Sequence, residues 1–80
     1  MYYTYVLRSK THGTLYIGSS EDPELRLTSQ HNKGKVRYTK GRRPWQLVYR
    51  EKFSTRSEAM RQEKYLKSGK GRELLKIILQ

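Results

Sequence analysis

Residues 14–20 of the chain are TLYIGSS, a β-branched and aromatic stretch that ends on glycine and serine. This composition is typical of a β-strand, in which alternate side chains point to opposite faces. Leu15 and Ile17 would then face a core, and Tyr16 and Gly18 would lie on the other face. Tyr16 either packs as an aromatic side chain or does chemistry beside a backbone that another molecule must approach.

The segments around this stretch predict a small domain with a sheet and helices. YYTYVLR at 2–8 predicts a strand that pairs with 14–19 across a turn of about five residues, and QLVYREKF at 46–53 predicts a third strand. In this third strand Leu47, Tyr49 and Phe53 would share one face. The predicted helices run from Pro23 to about Gln30 or His31, over 55–68, and over 71–80.

Local signals support the helix boundaries. Asp22 before Pro23 favours a helix start, and Thr55 with Glu58 fits a capping box. Gly69 is interpreted as the stop signal of the second helix. The order β-β-α-β-α-α predicts one α+β domain over residues 1–80, with a three-stranded antiparallel sheet flanked by helices.

The charge of the chain indicates its partner. The chain has eighteen Lys and Arg and seven Asp and Glu, which gives a formal net charge of +11. Such a field attracts polyanions, so nucleic acid is the expected partner; an anionic membrane surface and a merely basic soluble protein are the weaker alternatives. The chain has no Cys, and MYYTYVLRSK has no long apolar run, so we expect a cytoplasmic protein without a signal peptide or membrane span.

A basic segment at 32–45, NKGKVRYTKGRRPW, is predicted as a long loop without acidic residues. Long loops in compact domains are usually functional or disordered. Aromatic side chains among cations suit phosphates and bases, which favours a nucleic-acid contact over a solvated connection. The candidate contact residues are Lys33, Lys35, Arg37, Lys40, Arg42, Arg43 and Trp45.

Glu63 lies where a helical wheel predicts burial, in the stripe of Ala59 and Leu66. A buried carboxylate needs a cation, and spacing alone favours a Lys or Arg partner over a divalent metal. Arg26 either stays solvated or grips a phosphate, and His31 either acts as a base or simply ends its helix.

Several motifs in order carry a resemblance to a known family. YTY at 3–5, YIG at 16–18, Arg26 ten residues after Tyr16, then QHNKGK, RRPWQLVY and EAMRQEKYLKSGKGRE follow one another. Together they resemble the GIY-YIG nuclease superfamily, especially its small single-domain bacterial members similar to the N-terminal domain of excinuclease C, over nearly the whole chain. YIG alone is a weak signal, whereas the combination is specific.

The resemblance implies metal-dependent hydrolysis of DNA phosphodiester bonds, structure-selective and linked to repair or recombination. It assigns Glu63 to one Mg²⁺ or Mn²⁺ ion and Arg26 to the phosphate, and it lets a tyrosine with a lowered pKa act as base or orient water. Gly18 would let a backbone come close. The catalytic residues implied are Tyr5, Tyr16, Arg26, His31 and Glu63.

The chain departs from the family pattern at Ser19, where some relatives carry Lys, and at His31, which falls one residue later than expected after Arg26. The last helix also lacks the polar Asn of some relatives. Besides the nuclease, two hypotheses remain: a non-catalytic nucleic-acid-binding module on the same fold, and a subunit module that needs a protein partner for targeting. The chain by itself is expected to be a monomer. RNA stays open as an alternative to DNA.

Overall fold

The computed structural model describes residues 1–79, which form a three-stranded antiparallel sheet between two layers of helical segments. The sheet consists of β1 (Tyr2–Ser9), β2 (Leu15–Ser20) and β3 (Trp45–Phe53), in the order β2-β1-β3. The helices are α1 (Pro23–Arg26), α2 (Arg37–Lys40), α3 (Arg56–Leu66) and α4 (Gly69–Ile78), and a π-helical turn spans Leu27–His31. The predicted fold class is confirmed.

The central strand β1 is buried on both of its faces, which divides the core into two clusters. Val6 packs with Ile17, Leu66 and Leu75 under α3 and α4. On the other face Tyr5 packs with Leu7 and Trp45, and with the partly buried Tyr16, Leu27 and Leu47. A central strand covered on both faces is expected to bury successive residues, and here those at 4–7 are all buried.

Three local predictions are corrected by the structure. The segment 32–45 is not a continuous loop, since α2 forms within it. Gly69 does not end α3 but is the first residue of α4, because Ser68 caps that helix by accepting a hydrogen bond from the Gly71 N–H at 3.2 Å. An irregular register opposite Val6 and Leu7 places Leu47 and Tyr49 in different clusters, so the predicted shared face in β3 is wrong.

The helix starts follow the sequence signals. Asp22 accepts from the Leu25 N–H at 3.1 Å ahead of α1, and the Thr55–Glu58 capping box is formed in full. Thr4 Oγ1 donates to the Ala59 carbonyl at 2.6 Å and thereby fixes α3 against the central strand. No helix within residues 1–79 is both long and apolar enough to cross a membrane.

Candidate active site

A cleft of about 500 Å³ opens where β2 ends and α1 begins. Four elements contribute to its wall: β1, β2, α1 and α3. The structure therefore brings together most of the residues predicted for catalysis, although they are far apart in the chain. The predicted site residues that line the cleft are Tyr5, Tyr16, Arg26 and Glu63, together with Gly18, at which a backbone approach was predicted.

His31 lies behind this wall, fully buried, in a chain of hydrogen bonds. The Thr39 hydroxyl donates to the Val36 carbonyl at 3.2 Å, so its oxygen accepts from the His31 Nδ1–H at 3.1 Å. The other ring nitrogen, Nε2, then carries a lone pair and accepts from the Tyr5 hydroxyl at 3.0 Å. The proton of Tyr5 therefore points away from the cleft and toward His31.

Burial sets the protonation of this pair. It lowers the pKa of His31 to about 4, with the nearby Arg26 guanidinium as a second cause. Burial also raises the pKa of Tyr5, and the neighbouring Tyr16 adds to this rise. The expectation of a tyrosine with a lowered pKa is therefore wrong for Tyr5, which stays a neutral phenol beside a neutral imidazole.

The π-helical turn explains how His31 reaches Tyr5 from a displaced position. The Asn32 N–H donates to the Leu27 carbonyl at 2.8 Å, a bond that spans five residues where an α-helix spans four. One extra residue is thus absorbed within the turn. The departure from the family spacing after Arg26 does not keep the imidazole away from the tyrosine.

Glu63 is the carboxylate of the cleft that the sequence singled out. Its side chain is 22% exposed, and one oxygen accepts from Lys67 Nζ at 2.7 Å, one helical turn further along α3. The structure thus supplies the lysine partner that spacing alone favoured. Within residues 1–79 no cluster of three or more His, Cys, Asp or Glu could hold a metal ion.

A cleft with few carboxylates still fits one kind of metal. Mg²⁺ retains several waters and is often held by one or two carboxylates together with substrate phosphate. Glu63 and the exposed Glu21 both line the cleft, which has room for water. The donor set therefore suits a hydrated magnesium or manganese ion and would not suit a closed zinc site.

Two guanidinium groups line the same cleft. Arg26 is partly buried and its Nε donates to Gln30 Oε1 at 3.2 Å, while no ion pair engages it within the described residues. Arg56, the first residue of α3, was not singled out from the sequence. Its position seven residues before Glu63 places both on one helical face, and this spacing is the signal that could have identified it.

Gly18 has a different neighbour from the one expected. It lies opposite Tyr5 across the β1–β2 pair, and a Cβ on it would stand 2.7 Å from the Tyr5 hydroxyl oxygen. The glycine is thus required by the tyrosine ring that covers it. Because Gly18 also lines the cleft, the approach of a substrate backbone stays a prediction.

The basic segment presents most of its cations to solvent. Its lysines and arginines at 33, 35, 37, 40 and 43 are exposed, and Arg42 is partly buried with its guanidinium 4.8 Å from the centre of the Tyr38 ring. Trp45 is only 2% exposed, and its indole N–H donates to the Thr39 carbonyl at 2.8 Å. Trp45 is a core residue, so we correct its assignment as a nucleic-acid contact.

Comparison with known proteins agrees with this fold. The chain is 42% identical over 77 residues to a UPF0213 protein of Staphylococcus saprophyticus, covering 96% of this chain and 93% of that protein. It is 44% identical over 78 residues to a UPF0213 protein of Staphylococcus haemolyticus, with the same coverage of 96% and 93%. The solution structure of a UPF0213 protein from Bacillus halodurans superposes with a TM-score of 0.57 at 33% identity, over 98% of this chain and 85% of that one.

The three-stranded sheet with flanking helices and the matching relatives define the class of domain to which the chain belongs. The family described as GIY-YIG catalytic domain matches residues 1–76. This chain belongs to the GIY-YIG family, a family that typically consists of nucleases, which generally use divalent metal ions.

Proposed function

We propose that this protein is a DNA endonuclease that hydrolyses phosphodiester bonds with one Mg²⁺ or Mn²⁺ ion held by Glu63. The observation that carries the proposal is the convergence of Tyr16, Arg26 and Glu63 on one open cleft in a chain with a formal net charge of +11. The ion would supply Lewis-acid stabilisation of the phosphate and of the leaving oxygen. We further propose that the enzyme selects DNA by structure, since phosphate contacts rarely encode sequence. A nuclease of this selectivity would serve repair or recombination.

The cations of the cleft bind and orient the phosphate. Arg26 is free of ion pairs within residues 1–79, so its guanidinium can donate two hydrogen bonds to non-bridging oxygens. Arg56 adds a second positive charge to the same cleft, where Ser19 stands in place of the lysine found in some relatives. Both charges favour the more negative transition state over the bound substrate.

The two tyrosines have separate roles in this proposal. Tyr16 is partly exposed, and its hydroxyl makes no hydrogen bond to the described part of the protein, so its oxygen can accept a hydrogen bond from the attacking water and orient that water. Tyr5 is buried and its proton is engaged by His31, so it acts as a positioning residue. The ring centre of Tyr16 lies 6.3 Å from that of Tyr5 and 4.8 Å from that of His31.

A cleavage assay tests the proposal. The substrates are duplex, single-stranded, nicked and branched DNA with Mg²⁺ or Mn²⁺, and the variants are Glu63→Gln, Tyr16→Phe and, as matched control, Glu73→Gln. Glu73 is exposed on α4 and lines no cleft described here. We expect the first two variants to cleave about 100-fold more slowly, and the control to cleave as fast as the wild-type protein.

Two results would overturn the proposal in different ways. Full metal-dependent cleavage by Glu63→Gln would remove the carboxylate from the mechanism. Salt-sensitive binding by the wild-type protein without any cleavage would instead support the second candidate, a non-catalytic nucleic-acid-binding module. The observation behind this second candidate is the ion pair between Glu63 and Lys67, in which the lysine engages one oxygen of the carboxylate that a metal would need.

A further inference from the structure

A second cleft of about 790 Å³ runs along the free edge of β2, beside α4. It begins at the turn before β2 and includes Leu15, Tyr16 and Ile17 on one side. Because β2 pairs only with β1 within residues 1–79, no other strand described in the sheet covers this edge. Tyr16 lines both this groove and the candidate active site, so the two clefts adjoin at this residue.

The charges of this edge groove have one sign. Lys67, Arg72 and Lys76 line it, and among the residues that the structure describes no acidic side chain does. Arg72 and Lys76 are four residues apart on α4 and therefore lie on the same face, about 6 Å apart along the helix axis. Two cations at this separation can meet neighbouring phosphates of one nucleic-acid strand.

An exposed aromatic ring stands at the same groove. Tyr38 lines it and is 47% exposed, with its ring centre 5.7 Å from that of Tyr16. The Arg42 guanidinium lies over the Tyr38 ring. An exposed ring among cations is the arrangement on which unpaired bases stack, whereas a paired base inside a duplex offers no free face to such a ring.

We propose that the edge groove binds a single-stranded nucleic-acid segment that flanks the cleavage position, with phosphates on Arg72 and Lys76 and a base on Tyr38. The position relative to the cleaved bond rests on the proposed function, but the binding needs neither metal nor turnover. An extended peptide could also add to the open edge of β2. The absence of acidic lining residues and the net charge of +11 favour the polyanion.

The test is fluorescence anisotropy of a labelled oligothymidylate with the whole protein in EDTA, over a series of salt concentrations. The Arg72→Gln/Lys76→Gln double variant should bind at least about tenfold more weakly than the wild-type protein. The slope of its log binding constant against log salt concentration should be shallower by about 1.4. Tyr38→Ala should bind about tenfold more weakly with an unchanged slope, because stacking releases no counterions. Arg72 Nε also donates to the Lys67 carbonyl at 3.3 Å, so Lys76→Gln alone serves as a second variant that leaves this bond intact.

Lys70→Gln is the matched control, since Lys70 lies on the same helix, is exposed and lines neither cleft. We expect its affinity to stay within about twofold of the wild-type value, which would assign the loss to the groove. An equal loss in this control, or wild-type affinity in the double variant and in Tyr38→Ala, would overturn the proposal. The outcome is independent of the cleavage assay, because EDTA removes turnover from the measurement and Glu63 stays unchanged.

Discussion

The buried histidine makes the stability of this protein depend on pH in a way that the structure specifies. His31 is neutral in the fold because both ring nitrogens are engaged, one as donor to Thr39 and one as acceptor from Tyr5. A proton on Nε2 would oppose the Tyr5 hydroxyl proton, in a fully buried position close to Arg26. We therefore predict that acid destabilises the wild-type protein through His31.

The direction and magnitude of this loss of stability follow from the lowered pKa of His31. Folding lowers the pKa of His31 from its ordinary value of 6.5 to about 4, so between these values the unfolded chain holds more protons. Stability is then fully present above pH 6.5 and is lost as the pH falls toward 4. The full difference corresponds to about 3 kcal/mol, and we expect about 2 kcal/mol because the neighbouring cleft is open to water.

Thermal unfolding between pH 7 and pH 4 measures this loss. We expect the wild-type melting temperature to fall by about 10 °C more than that of His31→Gln, at about 4–8 °C per kcal/mol for a domain of this size. His12→Gln is the matched control, because His12 is exposed and is the other histidine of the two in the chain. Its pH dependence should follow that of the wild-type protein.

Two observations would refute this reasoning. One is an equally steep loss of stability with acid in His31→Gln. The other is an NMR titration in which the His31 ring resonance of the wild-type protein moves through a midpoint near 6.5. The second measurement needs no variant, so the prediction stays testable even if His31→Gln does not fold.

Three further predictions concern the start of the last helix, the anchoring of β3 and the carboxylate of the cleft. In urea melts, Gly71→Ala should destabilise the protein by about 3 kcal/mol, because the added Cβ would lie 2.1 Å from a backbone oxygen at the end of α3. Gly69→Ala is the control: its Cβ would have nothing within 4 Å, so the variant should be neutral or slightly stabilised. Asn32→Ala should cost about 2 kcal/mol in such melts, because the side chain makes two hydrogen bonds, at 2.6 and 3.2 Å, to the backbone of the first residue of β3. Lys67→Gln should lower the Mn²⁺ concentration for half-saturation about twofold by calorimetry, since it frees the Glu63 carboxylate; an unchanged value would contradict this.

Regular elements of the fold were predictable because their signals are local. The β-branched and aromatic composition of the strands, the Asp22–Pro23 start and the Thr55–Glu58 capping box each act within a few residues, and the strands and both helix starts are formed. The errors arose where two local signals compete or where a distant contact decides. Gly69 carries the composition of a helix stop, but it opens α4 because Ser68 caps the next turn, and the irregular register of β3 depends on its pairing with β1.

The candidate site was predictable only in part. The spacing of the motifs identified Tyr16, Arg26 and Glu63, and the cleft brings these three together. Spacing could not show that a π-helical turn carries His31 to Tyr5, because that turn depends on the contacts of the whole segment. Nor could composition distinguish the buried Trp45 from the exposed Tyr38 of the same basic segment.

The question that the sequence left open at Glu63, a lysine partner or a metal, has a physical answer in the geometry of α3. Lys67 lies one turn after Glu63, and its side chain is 51% exposed, so the ion pair between them is worth about 0.5 kcal/mol or less. A divalent ion that also gains phosphate ligands can displace so weak a partner. The freed ammonium would then lie at the edge groove, which Lys67 also lines, where a phosphate can replace the carboxylate. The lysine and the metal are therefore successive partners of one carboxylate in our proposal, and the arrival of nucleic acid favours the exchange.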